Sequence, residues 1–375
     1  MQNDISISTV GDISLATGLN RHNLSFDGWI SDEVLNFLNA DIQIANLECV
    51  FYPTDRERPD SFNLCEQESS AKVLSEAGFN VLTLGNNHIT DFHDGEGIAH
   101  TVDVLTKLGI SHCGAGRNIS EAQKPAVLDV KGKRIGVFSR LHIDSFSSCH
   151  SIIASETKAG VAPLIVNEIT EYVDRVRDEL NLDIVILAVH WGIQEVHNHM
   201  PAIHDAALDI VRSSKVDMIL GTHSHCIQGI LRDAHKHIFF GQGNFYFYPQ
   251  ETEEGKLYDA DQLINRRSVI SKLLITAEEQ KVDSRVVIQD QYEKVSFESS
   301  KVEKKIIDSV FGDWSRRQPF KFSFEYRLRG FSILFGKLLN IKENKHYRTK
   351  LLSLLSNPKL LVKELYSVIF KPKHR

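Results

Sequence analysis

No two cysteines of this chain stand in a CxxC pair. The five present, Cys49, Cys65, Cys113, Cys149 and Cys226, are odd in number and widely scattered. That pattern excludes a disulfide framework and a cysteine-built zinc module, and reduced thiols in the cytoplasm are the expectation. Also missing is any uninterrupted apolar run long enough to cross a bilayer as a helix. The opening residues, Met-Gln-Asn-Asp-Ile-Ser, lack the basic region and apolar segment of a secretion signal, so a cytoplasmic location is expected. No internal repeat is present, which leaves out the repeat architectures.

What is there has a soluble globular composition, 42% hydrophobic and 25% charged. A chain of 375 residues can bury a full core and allows two or three domains. Its net charge of −6 conceals a division, because residues 301–375 carry 18 lysines and arginines against 6 aspartates and glutamates. The remainder is acidic. This asymmetry marks a second region with a different partner. We therefore expect a main domain over residues 1–297 and a basic extension over 298–375.

Through the first 240 or so residues, short apolar strands alternate with amphipathic stretches, the pattern of a layered α/β fold. Helices are expected at Asp32–Asn39, Glu66–Glu76, Gly95–Lys107, Val166–Leu180 and Ile203–Arg212. Hairpins are expected around Lys131-Gly132-Lys133 and between Val269–Thr276 and Ser284–Gln289. Ser145–Lys158 is Ser-rich and reads as an irregular loop.

Five of the strands end in polar residues of one chemical kind. Asp4–Val10 runs into Gly11-Asp12, and Asp41–Ala45 into Asn46-Leu47-Glu48. Phe79–Leu84 runs into Gly85-Asn86-Asn87-His88, with Asp91 three residues on. Asp183–Val189 ends in His190-Trp191-Gly192, and Asp217–Leu220 in Gly221-Thr222-His223-Ser224-His225. Any one of these residues alone is more often a cap or a loop residue. Carboxylates, amides and imidazoles at five strand ends together favour a metal site, since open α/β sheets bind ligands at the carboxyl ends of their strands. Cys226 is either a soft ligand or a small core residue. Trp191 and Phe245 either pack beneath the site or stack on substrate. Arg21, His22 and Arg140 either meet an anion or are surface charges.

These landmarks, with Gly114-Ala-Gly116 before Ala122, Gln228-Gly229 and Gly241-Gln-Gly243-Asn244-Phe245, resemble the bacterial capsule-synthesis CapA family. That family includes poly-γ-glutamate biosynthesis proteins and belongs to the calcineurin-like metallophosphoesterase superfamily. The resemblance covers about 240 residues in the family's order and stops before the basic extension. It implies a four-layer αββα sandwich with its site where strand ends meet. It further implies that Asp12 and His225 hold one divalent metal, that Glu48 bridges, and that Asn87, His190 and His223 hold a second. His88 is implied as the acid that protonates a leaving oxygen, oriented by Asp91. One or two ions are expected, and mixed nitrogen and oxygen donors suit Mn, Fe or Zn. The chain departs from the superfamily pattern in three places. Ser14 stands where Asp-x-His has its histidine, Glu48 stands for an aspartate, and Asp91-Phe-His-Asp-Gly95 is stretched, adding His93 and Asp94.

Two functions follow as expectations. One is a metal-dependent, phosphoesterase-like hydrolase in capsular polysaccharide or poly-γ-glutamate synthesis, acting on an anionic polymer or a phosphorylated substrate. The other is a non-catalytic accessory protein that binds an anionic polymer or lipid-linked intermediate at the membrane. The extension reads as amphipathic helices with basic faces, which suit a protein partner or peripheral docking at the inner membrane. No nucleic-acid partner is expected.

Overall fold

The structure is a computed structural model, and it describes residues 4–16, 28–57, 63–92, 95–143, 149–248, 266–276, 278–290 and 294–311. Two mixed sheets face each other. In the first, the strands Ile5–Ser14, Ile42–Leu47, Val81–Thr83 and Ser111–Cys113 run parallel in that order. Beyond Ile5–Ser14 the sheet continues antiparallel through Arg267–Ile275, Gln280–Gln289 and Val295–Phe297. In the second sheet, Lys133–His142, Ile184–His190, Met218–Thr222 and Lys236–Phe239 are parallel neighbours.

The pleat explains the layers. Successive side chains of a strand point to opposite faces, so a strand buried on both sides reads as a continuous apolar run. In Ile184–His190 every residue is buried. Ile184, Ile186 and Ala188 join Ile5, Ile7, Ile42, Ile44 and Val81 of the other sheet in the core between the sheets. Val185, Leu187 and Val189 point outward to meet Ile169, Val173 and Val176 of the helix Val166–Leu180 and Ile203, Ala207 and Ile210 of the helix Pro201–Ser213. On the far side of the first sheet, Ala45 and Leu47 pack with the helices Asp32–Leu38, Lys72–Glu76 and Gly95–Lys107. The arrangement is helix, sheet, sheet, helix, the four-layer sandwich expected. Each of these buried valine, leucine and isoleucine side chains contributes roughly 1.5–3 kcal/mol of transfer free energy.

Both hairpins are present, as Ala126–Val130 with Lys133–His142 and Arg267–Ile275 with Gln280–Gln289. Two expectations need correction. The stretch Glu66–Glu76 is not one helix, because Cys65–Gln67 pairs as a strand with Val50–Tyr52. A 3-10 turn, Glu68–Ala71, then leads into the short helix Lys72–Glu76. Glu66 accepts hydrogen bonds from Gln67 N at 2.9 Å and Ser70 Oγ at 3.4 Å, which stabilises the turn locally. Within Ser145–Lys158, residues Cys149–Ile152 form a single helical turn.

The helix Ser300–Val310, at the start of the expected extension, lies on the sandwich. Arg285 donates to Glu303 at 2.6 Å, and Val310 is part of the core between the sheets. The rest of the extension expected to form amphipathic helices, residues 312–375, falls outside the described residues, as do Arg21, His22, His93 and Asp94. No helix among the described residues is long and apolar enough to cross a membrane.

Candidate metal centre

The carboxyl ends of the parallel strands in both sheets converge, and each brings one or two polar side chains. Asp12 ends its strand on a close backbone approach. Its N–H donates to Gly243 O at 3.0 Å, and a Cβ on the preceding Gly11 would stand 1.9 Å from that same oxygen. Only glycine lets the segment through Asn244 lie so close. Asp12 itself is fully buried; its Oδ1 accepts from Asn46 Nδ2 at 2.7 Å and its Oδ2 from His223 N at 3.3 Å. The second of these bonds crosses from one sheet to the other.

His190 and His223 meet at this junction. His190 Nε2 lies 3.0 Å from His223 Nδ1, 2.6 Å from Asn87 Oδ1 and 3.5 Å from Glu48 Oε1. Its other nitrogen pairs with Thr222 Oγ1 at 2.9 Å, which fixes the ring. The turn carrying His223 and His225 is strained, with φ of 83° and 53° at the two histidines. Non-glycine residues rarely adopt such angles, at a cost of about 1–3 kcal/mol each. The strain aims both imidazoles back into the junction.

Glu48 is the hub. It is fully buried, and neither carboxylate oxygen has a hydrogen-bond partner among the described residues. Three imidazole nitrogens surround Oε1, with Nε2 of His190 at 3.5 Å, of His225 at 3.7 Å and of His88 at 3.9 Å. These distances exceed a hydrogen bond. Donors bound to one metal at about 2.0–2.2 Å stand roughly 3.0–3.5 Å apart. An orphaned buried carboxylate ringed by nitrogens at near this spacing fits a cation. Two donor sets result, Glu48 with His190 and His223, and Asp12 with Glu48 and His225, each with its ligand atoms within 4.8 Å of one another. Glu48 belongs to both.

Electrostatics point the same way. Burial raises the pKa of Asp12, and burial together with the Asp12 charge pushes Glu48 well above the usual carboxyl range. Burial, with His223, His225 and His88 nearby, drives His190 well below an ordinary imidazole. Two buried carboxyls beside the His190 imidazole, which burial holds neutral, are a donor set without a positive charge.

His88 sits at the rim, its side chain 23% exposed. Its Nδ1 pairs with Asp91 Oδ2 at 2.8 Å, and that oxygen also accepts Leu64 N at 2.7 Å. Asn86 shapes the turn beneath, its Oδ1 accepting from the N–H groups of His88 and Ile89 while its Nδ2 donates to Leu47 O. The roles of Asn46, Asn86 and Asn244 were not legible beforehand, although all three lie in the quoted motifs. Asn244 Oδ1 meets His225 Nδ1 at 2.8 Å. An amide directly after a strand is the available signal, and it does not say which residue the amide will serve.

Other candidates resolve as packing. Arg140 is 1% exposed and donates to the carbonyls of Ser139 and Gln123, so it does not face an anion at the site. Trp191 is buried and donates to Phe240 O, Phe245 packs edge-on against Trp29 and Phe79, and Cys226 is buried and in no disulfide. Ser14 is buried, its hydroxyl without a hydrogen-bond partner among the described residues.

A model of the family described as bacterial capsule synthesis protein PGA_cap matches residues 6–249, which include every side chain of this junction. The chain belongs to that family. Similar relatives are the capsule biosynthesis protein CapA of Bacillus anthracis, 26% identical over 65% of this chain and 60% of that protein, and the PGA biosynthesis protein CapA of Bacillus subtilis, 27% identical over 56% of this chain and 54% of that protein. A probable polyglutamine synthesis accessory protein of Mycobacterium tuberculosis is 26% identical over 56% of this chain and 57% of its own length. These matches thus span 54% to 60% of the relatives' length. Among solved structures the chain is similar to the calcineurin-like phosphoesterase YfkN from Bacillus subtilis, at 12% identity and a TM-score of 0.43, covering 88% of this chain and 97% of that one.

Proposed function

We propose that this member of the capsule synthesis family is a metal-dependent, phosphoesterase-like hydrolase in the assembly of a cell-surface polymer, capsular polysaccharide or poly-γ-glutamate. The observation that carries the reading is Glu48, whose Oε1 has no hydrogen-bond partner among the described residues and faces Nε2 of His190, His225 and His88 within 3.9 Å. Glu48, His190 and His223, with Asn87, form one ion position, and Asp12, Glu48 and His225 form the other. Divalent ions there would supply Lewis acidity toward a phosphoryl oxygen and an activated water. Mixed imidazole and carboxylate donors suit Mn, Fe or Zn.

The remaining work falls to the chain's own groups. Asp91 holds Nδ1 of His88, so Nε2 is turned toward Glu48 while the ring stays open to solvent on one side. As a water oxygen bonds to phosphorus and the phosphorus–oxygen bond to the leaving group breaks, His88 Nε2 delivers its proton to the departing oxygen. An anionic polymer precursor or another phosphorylated molecule is the matching substrate class. In this reading the basic residues of 301–375 dock the protein on the anionic cytoplasmic face of the inner membrane, where lipid-linked precursors lie.

The test is metal content by elemental mass spectrometry, with bis-p-nitrophenyl phosphate turnover, for wild type and His223→Ala. Two metals per chain in wild type, with turnover lost in the variant, support the hydrolase. Absence of stoichiometric metal after Mn, Fe and Zn reconstitution overturns it. Metal without turnover favours an accessory protein that binds an anionic polymer.

A further inference from the structure

The two ion positions differ in their protein donors. Asn87 Oδ1 reaches His190 at one of them, whereas the Asp12–Glu48–His225 position has no such amide in the assignment above. The segment after His190 supplies one. The Gln194 carboxamide lies 3.3 Å from His225 Nε2, the same ring nitrogen that faces Glu48 Oε1 at 3.7 Å. The other ring nitrogen of His225 is taken by Asn244. Gln194 therefore meets the imidazole on the edge that points into the ion position.

The loop holds it there. Gly192 and Glu195 flank Gln194 at φ of 94° and 60°, a doubly left-handed path. Glu195 N donates to Ser224 O at 2.8 Å, between the two histidines of the strained turn, and Gln228 Nε2 donates to Val196 O at 2.6 Å. The two residues after Gln194 are thus tied to the segment that carries His225. A carboxamide offers oxygen and nitrogen at nearly the same place, exchanged by rotation about its last bond. Its N–H covers the free imidazole lone pair, and its oxygen faces the same space after that rotation. The 3.3 Å separation lies in the range of about 3.0–3.5 Å for two donors sharing one metal.

We infer that Gln194, through Oε1, is a further ligand of the Asp12–Glu48–His225 position. The inference rests on the two-position reading above. Its test is Mn²⁺ titration of the metal-free full chain, followed by calorimetry and electron paramagnetic resonance, for wild type, Gln194→Met and Gln194→Glu. Methionine keeps the volume without the amide, and glutamate restores an oxygen with added charge. The expected result is two binding events in wild type. One of them is weakened about tenfold or more in Gln194→Met, with an altered resonance of that ion, and the other is unchanged. Gln194→Glu binds at least as tightly as wild type at the affected position. Two unchanged events and spectra in Gln194→Met, with thermal unfolding like wild type, overturn the inference. No binding event in wild type overturns instead the reading on which it rests.

Discussion

His225 Nδ1 lies 2.8 Å from Asn244 Oδ1, so the imidazole is steered by an amide on the strand that pairs alongside Asp12. Asp12 and Asn244 are direct partners in that pairing. A carboxylate and the amide that orients its neighbouring imidazole thus arrive together on adjacent strands. By accepting the Nδ1 proton, Asn244 leaves Nε2 as the lone-pair nitrogen facing Glu48. Asn244→Ala is expected to weaken one ion position by about 10–100-fold, while Asn244→Asp, which keeps an acceptor, recovers most of it. Calorimetric metal titration checks both, and circular dichroism confirms that the fold is retained.

Sharing of Glu48 between the two donor sets makes a second prediction. Glu48→Leu removes a donor from both positions, and His223→Ala from only one. Elemental analysis is expected to find little metal of either kind in the Glu48 variant and one retained ion in the His223 variant. Equal retention in the two would show that Glu48 does not bridge.

Proton release supplies a third. Asp12 and Glu48 have folded-state pKa values raised above 3.8 and 4.5 by burial. Without metal, the folded chain keeps protons that the unfolded chain loses. The stability from this pair is therefore present at low pH and is lost as pH rises through the raised values. His190 acts oppositely. Its folded pKa is well below 6.5, so below that pH the unfolded chain gains a proton that the folded ring does not, and stability drops as pH falls. Metal binding needs ionised carboxylates and neutral imidazoles. Bound metal should therefore displace protons from the Asp12–Glu48 pair and none from His190. Apparent affinity is expected to rise with pH above the ordinary carboxyl range, because both carboxyl pKa values are raised. Calorimetry in buffers of different ionisation enthalpy would register the release, and zero release would remove the proposed role of the carboxyls.

Much of this site was legible because a parallel strand buried on both faces is a local signal. Ile184–Val189 is an unbroken apolar run, and the polar residue that ends it, His190, falls at the carboxyl edge. The same reasoning located Asp12, Glu48, Asn87 and His223. It could not locate Gln194, which lies four residues beyond His190 in a loop. Its place depends on Glu195 N reaching Ser224 O, a contact between distant segments. Asn46 and Asn86 were hidden for a similar reason, since their partners are separated by 34 to 40 residues along the chain. The stretch Glu66–Glu76 failed differently. Its local composition suits a helix, but pairing with Val50–Tyr52 decided the conformation of Cys65–Gln67.

The charge imbalance of 301–375, 18 cationic against 6 acidic residues, predicts attraction to anionic lipid. Full-length protein is expected to co-sediment with phosphatidylglycerol-containing vesicles and not with neutral phosphatidylcholine. Because the Debye length shrinks from about 10 Å at 0.1 M salt to about 3 Å at 1 M, added salt should release it. Replacing Lys371, Lys373 and Arg375 by glutamate should weaken binding while leaving turnover on a soluble substrate intact. Equal binding to both vesicle types would argue against the electrostatic role.

The pairing of His88 with Asp91 separates proton transfer from metal binding. His88 Nε2 is 3.9 Å from Glu48 and belongs to neither donor set, so His88→Asn is expected to keep the wild-type metal content. A general acid matters most when the leaving group is a poor one. An alkyl phosphate ester, whose departing oxygen needs a proton, should lose about 10²–10⁴-fold in turnover. A p-nitrophenyl ester, whose leaving group departs as a stable anion, should lose much less. Asp91→Asn should show the same selectivity in weaker form, because the ring remains but its orienting carboxylate is gone. If instead both esters slow equally in His88→Asn while metal content falls, His88 acts as a ligand, and the acid must be sought elsewhere on the rim.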